Sequence, residues 1–368
     1  MSTLMQKVEK IKTLLDFFLD RGFEVPADRD LDLSQNPVAQ SLDDRDLANR
    51  AIKQVMGLTP ADPLVTEAAV ARFRNLSIST QDLDQLVVDG VDYEATWTEG
   101  HIKELVLKNG GSLVFRNPGL TVIDKVIKEN GSRADYRADF VAEGRPGQAG
   151  AKGGAGQAGG RGQNGAGAEC DCCGGLVRSH ASGGGPGGQG GAGRDGGAGG
   201  PGQRAPAIGL ELGDLSQADF LTVINVGGPG GPGGPGGDGG KGGDGGDGGR
   251  DRMCGAIPAR GGNGGNGGDG GPGGLGGVGG KGGDGEHTLV HVSRSEDRDK
   301  IRRVGCAAAG GAGGQGGAAG NGGKAGSCNG RNTNPGAVSQ GRPGSLGMTG
   351  KAGEPGQPGE VNVSYKRK

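Results

Sequence analysis

The sequence predicts a chain of mixed class: an N-terminal α-helical segment, a small β region, and then a bundle of six antiparallel polyproline-II-type glycine helices. Three observations predict it. Glycine recurs at every third position from Gly144 to Gly359, in six separate runs. The 7 Phe, 1 Trp and 3 Tyr all lie at or before Phe140, apart from Phe220 and Tyr365, so the C-terminal part has no aromatic core to build on. The connectors between runs alternate between strand-like and loop-like sequence.

Residues 1–75 read as a helical attachment module. Leu4, Val8, Ile11, Leu14, Leu15 and Phe18 recur at spacings of three and four, which puts one apolar stripe on a first helix. A second helix is expected from Leu42 to Met56, with Ser41 as its cap and Asp43 and Asp44 in its first turn. A third is expected over Val65–Phe73, after Pro60 and Pro63. The stripe on the first helix serves either the module's own core or docking on a partner.

Residues 76–143 form the β region. Its first part, up to about residue 100, is transitional. From His101 the period becomes that of strands: IKELVLKNGG, SLVFRNPG, LTVIDKVIKENG and SRADYRADFVAEG are short β segments broken by Asn-Gly and Pro-Gly turns. Their spacing suits a small meander or a few rungs of a parallel β-solenoid.

Residues 144–368 carry the glycine runs. Three residues per turn is the polyproline II period, whose backbone N–H and C=O groups point outward and must find partners outside their own helix. Gly227–Gly249 and the run over 261–283 have glycine at two of every three positions, leaving two bare faces, and are placed centrally. The first and last runs read mostly G-X-Y and are placed outside. Seven or eight triplets per run give helices of roughly 65–75 Å. The five interruptions and low proline content argue against a collagen trimer. If successive runs are antiparallel, the strand-bearing connectors 203–226 and 284–304 join the β region at one end. The connectors 166–183, 250–260 and 327–340 then meet at the other end as tip loops.

The runs resemble those of polyglycine-II bundle proteins: the tail-fibre tip adhesins of T-even-like phages, and the springtail antifreeze proteins, which stack six such helices in two layers. The resemblance is one of repeat pattern, covers 144–359, and implies a two-layer bundle. The adhesins carry receptor-binding loops at the distal end, and the N-terminal module and long tip loops fit them better.

Net charge is −2, with 40 basic and 42 acidic residues, so nothing points to nucleic acid. The N-terminus lacks the apolar core of a signal peptide, and no stretch is long enough to span a bilayer. A protein acting at a cell or virion surface would be made in the cytoplasm and leave by another route or by lysis. No Walker motif, Ser/His/Asp set or carboxylate pair is present, and an enzyme is not expected. His287 and His291 share a strand face and are weak metal candidates. Asp238, Lys241, Asp244 and Asp247 lie on one edge, read as a solvated face.

Cys170, Cys172, Cys173, Cys254 and Cys328 all fall in the tip loops, while Cys306 lies near the base. Disulfides stapling the loops, a zinc site, and unpaired thiols are the three readings. Arg178, His180, Arg252, Met253, Ile257, Arg331 and Asn332 are the candidate binding residues, since loops on a rigid support are where binding sites usually lie. The expectation is a non-enzymatic binding or adhesion protein. Its N-terminal module would join a larger assembly, and its tip would meet a cell-surface receptor protein or glycan. A self-assembling structural protein is the alternative, and an ice-binding protein the third reading.

Overall fold

A computed structural model describes residues 10–13, 18–19, 23, 36–55, 59–73, 77–129, 135–171 and 175–365. After helical residues at Phe18 and Leu19 come three short helices: α1 (Pro37–Ser41), α2 (Asp44–Val55) and α3 (Pro63–Phe73). Asn36 caps α1 through its Oδ1, which accepts from Val38 and Ala39 N–H. The cap of α2 is Asp43 rather than Ser41, for Asp43 Oδ1 accepts the Asp46 N–H at 2.8 Å, while Ser41 closes α1. Asp62 and Pro63 start α3. Phe18, Leu47, Ala51, Val65, Ala68 and Ala69 pack into a separate small core.

The first predicted helix is corrected at Lys10–Thr13, while Phe18, the last residue of its stripe, is helical. Lys10–Thr13 is strand β1, paired antiparallel with β2 (Ser77–Asp89). Leu4, Val8, Leu14 and Leu15 lie outside the described residues. Pairing with a sheet edge overrides the helical spacing of a short segment.

From β2 onward the chain winds as a two-sheet parallel solenoid. Its rungs are β2 with β3 (Asp92–Ala95), β4 (Glu99–Lys108) with β5 (Ser112–Phe115), and β6 (Gly119–Lys128) with β7 (Phe140–Glu143). Two hairpin strands, β8 (Glu169–Cys170) and β9 (Val177–Ser179), lie away from the sheets. The next rung is β10 (Ile208–Gln217) with β11 (Leu221–Val226), and a second hairpin, β12 (Arg252–Cys254) with β13 (Ile257–Ala259), follows it. The last strands are β14 (His287–Val292), β15 (Ile301–Gly305) and β16 (Glu360–Tyr365). The seven-stranded sheet runs β1-β2-β4-β6-β10-β14-β16, and the five-stranded sheet runs β15-β11-β7-β5-β3.

Equivalent residues stack from rung to rung. Leu83, Ile102, Ile123, Leu212 and Val292 form one column, each paired with the next. Leu113, Phe140 and Val223 form another in the facing sheet. These columns are the main core. Trp97 closes a corner, with its Nε1 donating to Thr121 Oγ1 at 3.0 Å.

The expected fold class is therefore corrected. The regular secondary structure is two large parallel sheets with three short helices, not a small β region attached to six glycine helices. The stretch read as transitional contains β2 and β3, and the β architecture extends to Tyr365 instead of ending near residue 143. The strand-bearing connectors are later rungs of the same solenoid. The glycine stretches, which contain neither helix nor strand, are long excursions inserted between β7 and β10, β11 and β14, and β15 and β16.

Sheet register governs these excursions. Val226 pairs with Glu143 at the end of β11 and β7, and the Gly144 N–H donates to Val226 O. The pattern continues without slip: Gly147 donates to Pro229 O, Gly150 to Pro232 O, and onward to Gly165 with Asp247 O. Outgoing and returning stretches also bond, as in Gly188 N–H to Gly160 O at 2.8 Å and Gly191 N–H to Gln157 O at 2.7 Å. Neighbouring stretches leave neighbouring strands, which are set about 4.7–4.9 Å apart by the ladder. At that spacing a Cβ on Gly147 would sit 2.0 Å from Gly200 O, and one on Gly239 would sit 2.0 Å from Gly271 O. Bare positions are a requirement of the spacing.

Glycine-to-glycine bonding leaves the amides of the third positions over. Aspartate and asparagine on the adjacent stretch accept them. Asp238 Oδ1 takes the Ala318 N–H, Asp244 the Lys324 N–H, Asp247 the Ser327 N–H, Asp269 the Arg342 N–H and Asn266 the Ser339 N–H, all at 2.7–2.9 Å. The edge read as merely solvated is thus bonded to its neighbour.

These bonds have a pH consequence. The Lys324 amide, then Lys241, holds the Asp244 carboxyl below its ordinary range; the Ser327 amide does so for Asp247 and the Gln357 amide for Asp284. A carboxyl depressed by folding stabilises above its unfolded value, about 3.9, and that contribution is lost as pH falls through the folded value. Amide-exchange protection at Lys324, Ser327 and Gln357 is expected to be level from about pH 8 to 5 and to fall below about pH 3.9. Protection factors unchanged at about pH 2 would show that the carboxylates contribute nothing.

At the base, Asn225 is fully buried. Its Nδ2 donates to Thr288 Oγ1 at 3.0 Å and Pro206 O at 3.2 Å, and its Oδ1 accepts the Glu286 N–H at 2.7 Å. It ties two returning stretches to β11. Glu286 pairs in turn with Lys53 and Arg204, and Arg204 with Asp46, so α2 docks on this junction within the same chain.

Candidate functional site: the loop cluster at the far end of the glycine stretches

Each glycine excursion turns back at a loop, and the three loops converge. In the first, Asp171 Oδ1 accepts the Gly175 and Leu176 N–H groups and shapes the turn between β8 and β9. In the second, Gly255 at φ +60° lets β12 fold back on β13. The third, over 327–340, has no strands. Gly330 at φ +98° lies against Asp251, where a Cβ would come within 2.5 Å of that side chain, and Asn332 takes the left-handed conformation its short amide tolerates.

The loops are joined chemically. Cys170 and Cys254 form a disulfide between the first two. Around it, Ala168, Cys254 and Ala259 are buried, with Cys170, Val177 and Ala181 packed beside them. Ala168 N–H donates to Arg250 O and Ala181 N–H to Arg260 O, both at 3.0 Å. The third loop reaches the second through Gly261 N–H to Arg331 O at 3.1 Å and Arg331 N–H to Asp251 Oδ2 at 3.1 Å. Asn263 Oδ1 accepts the Asn334 N–H at 2.7 Å.

The predicted binding residues fall as follows. Arg178, Arg252, Arg331 and Asn332 are exposed. Met253 is 50% and Ile257 47% exposed, and Leu176 reaches 62%. The Arg331 guanidinium rests on the Met253 sulfur at 3.7 Å. His180 is exposed, but its Nδ1 accepts the Arg260 N–H at 3.0 Å, so that nitrogen is a positioning acceptor. Asp251, one of the polar residues that the second loop offers, orders the third loop through its carboxylate.

Of the predicted cysteines, Cys170 and Cys254 are bonded, and Cys172 and Cys173 lie outside the described residues. Cys328 is a half-buried free thiol whose Sγ accepts the Gly264 N–H at 3.4 Å. Cys306, near the base, is also free, and burial raises its thiol pKa. Among the described residues no three His, Cys, Asp or Glu side chains converge on a metal position. His287 and His291 are drawn instead to Glu360 and Ser364 on β16. No helix among the described residues is long and apolar enough to cross a membrane.

No family model matches the chain, and no curated protein does. Among solved structures, a springtail antifreeze protein from Granisotoma rainieri, a nine polyproline type II helical bundle, is 22% identical over 55% of this chain and 93% of its own, with a TM-score of 0.09. The expected resemblance to polyglycine-II proteins, phage tip adhesins and springtail proteins alike, is corrected by the parallel sheets described above.

Proposed function

We propose that the protein is a non-enzymatic binding protein whose three-loop cluster engages a surface-borne ligand. The observation that supports this most is the cross-linking of loops distant in sequence into one exposed patch, at the end of the glycine stretches opposite the sheets. A disulfide and inter-loop backbone bonds reduce the ordering cost of binding, because the loops are already held. The sheets and the docked helices at the base form the other end, through which the protein would join a larger assembly.

Labelled protein applied to a panel of whole cells tests the reading. Combined Arg178→Ala, Arg252→Ala and Arg331→Ala substitution is expected to lower binding at least about tenfold, a loss of roughly 1.4 kcal/mol. The thermal unfolding midpoint should not move, since these side chains are exposed. Binding that survives the triple substitution would take the loop cluster out of the function.

The free edges of β15 and β16 favour a second reading, self-assembly through the sheets, because no described strand pairs beyond them. Filaments of the purified protein in electron micrographs would favour it over the first; discrete particles would not.

A further inference from the structure

Five arginines occupy the described loops: Arg178, Arg250, Arg252, Arg260 and Arg331. All five are exposed. Their backbones are held: Arg250 and Arg260 carbonyls accept from Ala168 and Ala181, Arg252 pairs with Ala259, Arg178 lies on β9, and Arg331 is tied to Gly261 and Asp251. Their guanidiniums have no carboxylate partner among the described residues. Of the three acids in the described loops, Asp171 accepts from Gly175 and Leu176 and Asp251 from Arg331 N–H, while Glu169 on β8 is exposed and forms no ion pair with these arginines. No lysine occurs in these loops, and arginine is the cation whose planar fork matches carboxylate, sulfate and phosphate groups.

We propose that the loop cluster binds an anionic polysaccharide, reading its acidic groups with these arginines. This rests on the loop cluster being the binding site. A polymer fits better than a small anion, because the arginines are spread over three exposed loops. A polysaccharide fits better than a nucleic acid, because the loops contain no Phe, Tyr or Trp on which bases would stack.

The test uses the full chain, disulfide intact, on surfaces coated with dextran sulfate or with neutral dextran. Binding is expected on the first and not the second. Its affinity should fall with salt between about 0.05 and 0.5 M, because counterions are released from the polyanion. Each of Arg178→Gln, Arg252→Gln and Arg331→Gln should lower the steepness of the log–log salt dependence by roughly one, and together they should weaken binding at least about tenfold. Arg298→Gln with Arg303→Gln, beyond the loops, should change nothing. Absence of binding to dextran sulfate at about 0.05 M salt would overturn the proposal. So would loss of binding through Arg298 and Arg303 alone, or tighter binding to duplex DNA of matched charge. The same cells separate the two readings. If cell binding survives the arginine-to-glutamine set but is lost with Leu176→Ser, Met253→Ser and Ile257→Ser, the polyanion is wrong and the loop cluster stands. If it survives both sets, both fail.

Discussion

Gly240→Ala is expected to destabilise the protein by more than about 3 kcal/mol, beyond the usual cost of overpacking. The added Cβ would lie 2.0 Å from the Gln157 carbonyl oxygen and 2.9 Å from that of Gly156. Both are backbone atoms in a stretch that is itself bonded on another side, so no side chain can swing away. The Gly240 N–H donates to Gly191 O, and its own carbonyl accepts from Gly271, so displacement would break bonds on more than one neighbour. Gly160→Ala is the paired control. Nothing lies within 4 Å of its Cβ position, and its φ is not positive. It is expected to be neutral or to stabilise by about 0.4–1 kcal/mol by restricting the unfolded chain. Thermal or denaturant unfolding of the two variants decides the point. Equal midpoints would mean that the glycine stretches are not packed at this spacing.

Removing the Cys170–Cys254 disulfide should have the next largest effect. The bond spans a sequence separation of 84, for which loop-entropy arguments give an upper value of about 4–5 kcal/mol. Cys254 is fully buried beside Ala168 and Ala259, so a serine there would also lose packing. The loss should be local, because the sheets have their own core of stacked aliphatic columns. Cys170→Ser with Cys254→Ser, or mild reduction, is expected to open 166–183 and 250–260 to proteolysis while circular dichroism of the sheets holds. Loops that stay as protected in the reduced protein would show that the backbone bonds of Arg250 and Arg260 suffice. If the inter-loop order is what binding uses, the same double substitution should weaken cell binding through the loops.

Much of the fold was legible piecemeal. Strands β4, β5, β6 and β7 announce themselves by alternation and by Asn-Gly and Pro-Gly turns. β2 does not: its inner row passes from Leu83 to Leu86 instead of continuing by twos, so its period looks irregular. The same step recurs from Ile102 to Leu105 and Ile123 to Val126, which makes it a bend shared by stacked rungs. One strand read alone cannot reveal a column. Lys10–Thr13 misled for the opposite reason, since helical spacing in a short segment yields to an available sheet edge. At the loops, the clustering of cysteine and arginine was visible, but the partner of Cys170 was not. Connectivity depends on which loops meet, and Asp251 counts only because Arg331 and Gly330 fold over it.

What the sequence determined by itself is which positions must stay bare. The three-residue glycine period states where backbones touch. What only the tertiary structure decided is the class of the fold and the place of the site. Rungs separated by an entire glycine excursion pair in one sheet, with Ile208 beside Thr288 and His287 beside Glu360. That long-range register aligns the stretches and brings Cys170 to Cys254 at their far end. Local sequence carries no record of it, because parallel pairing is settled by the burial of columns contributed by many rungs at once.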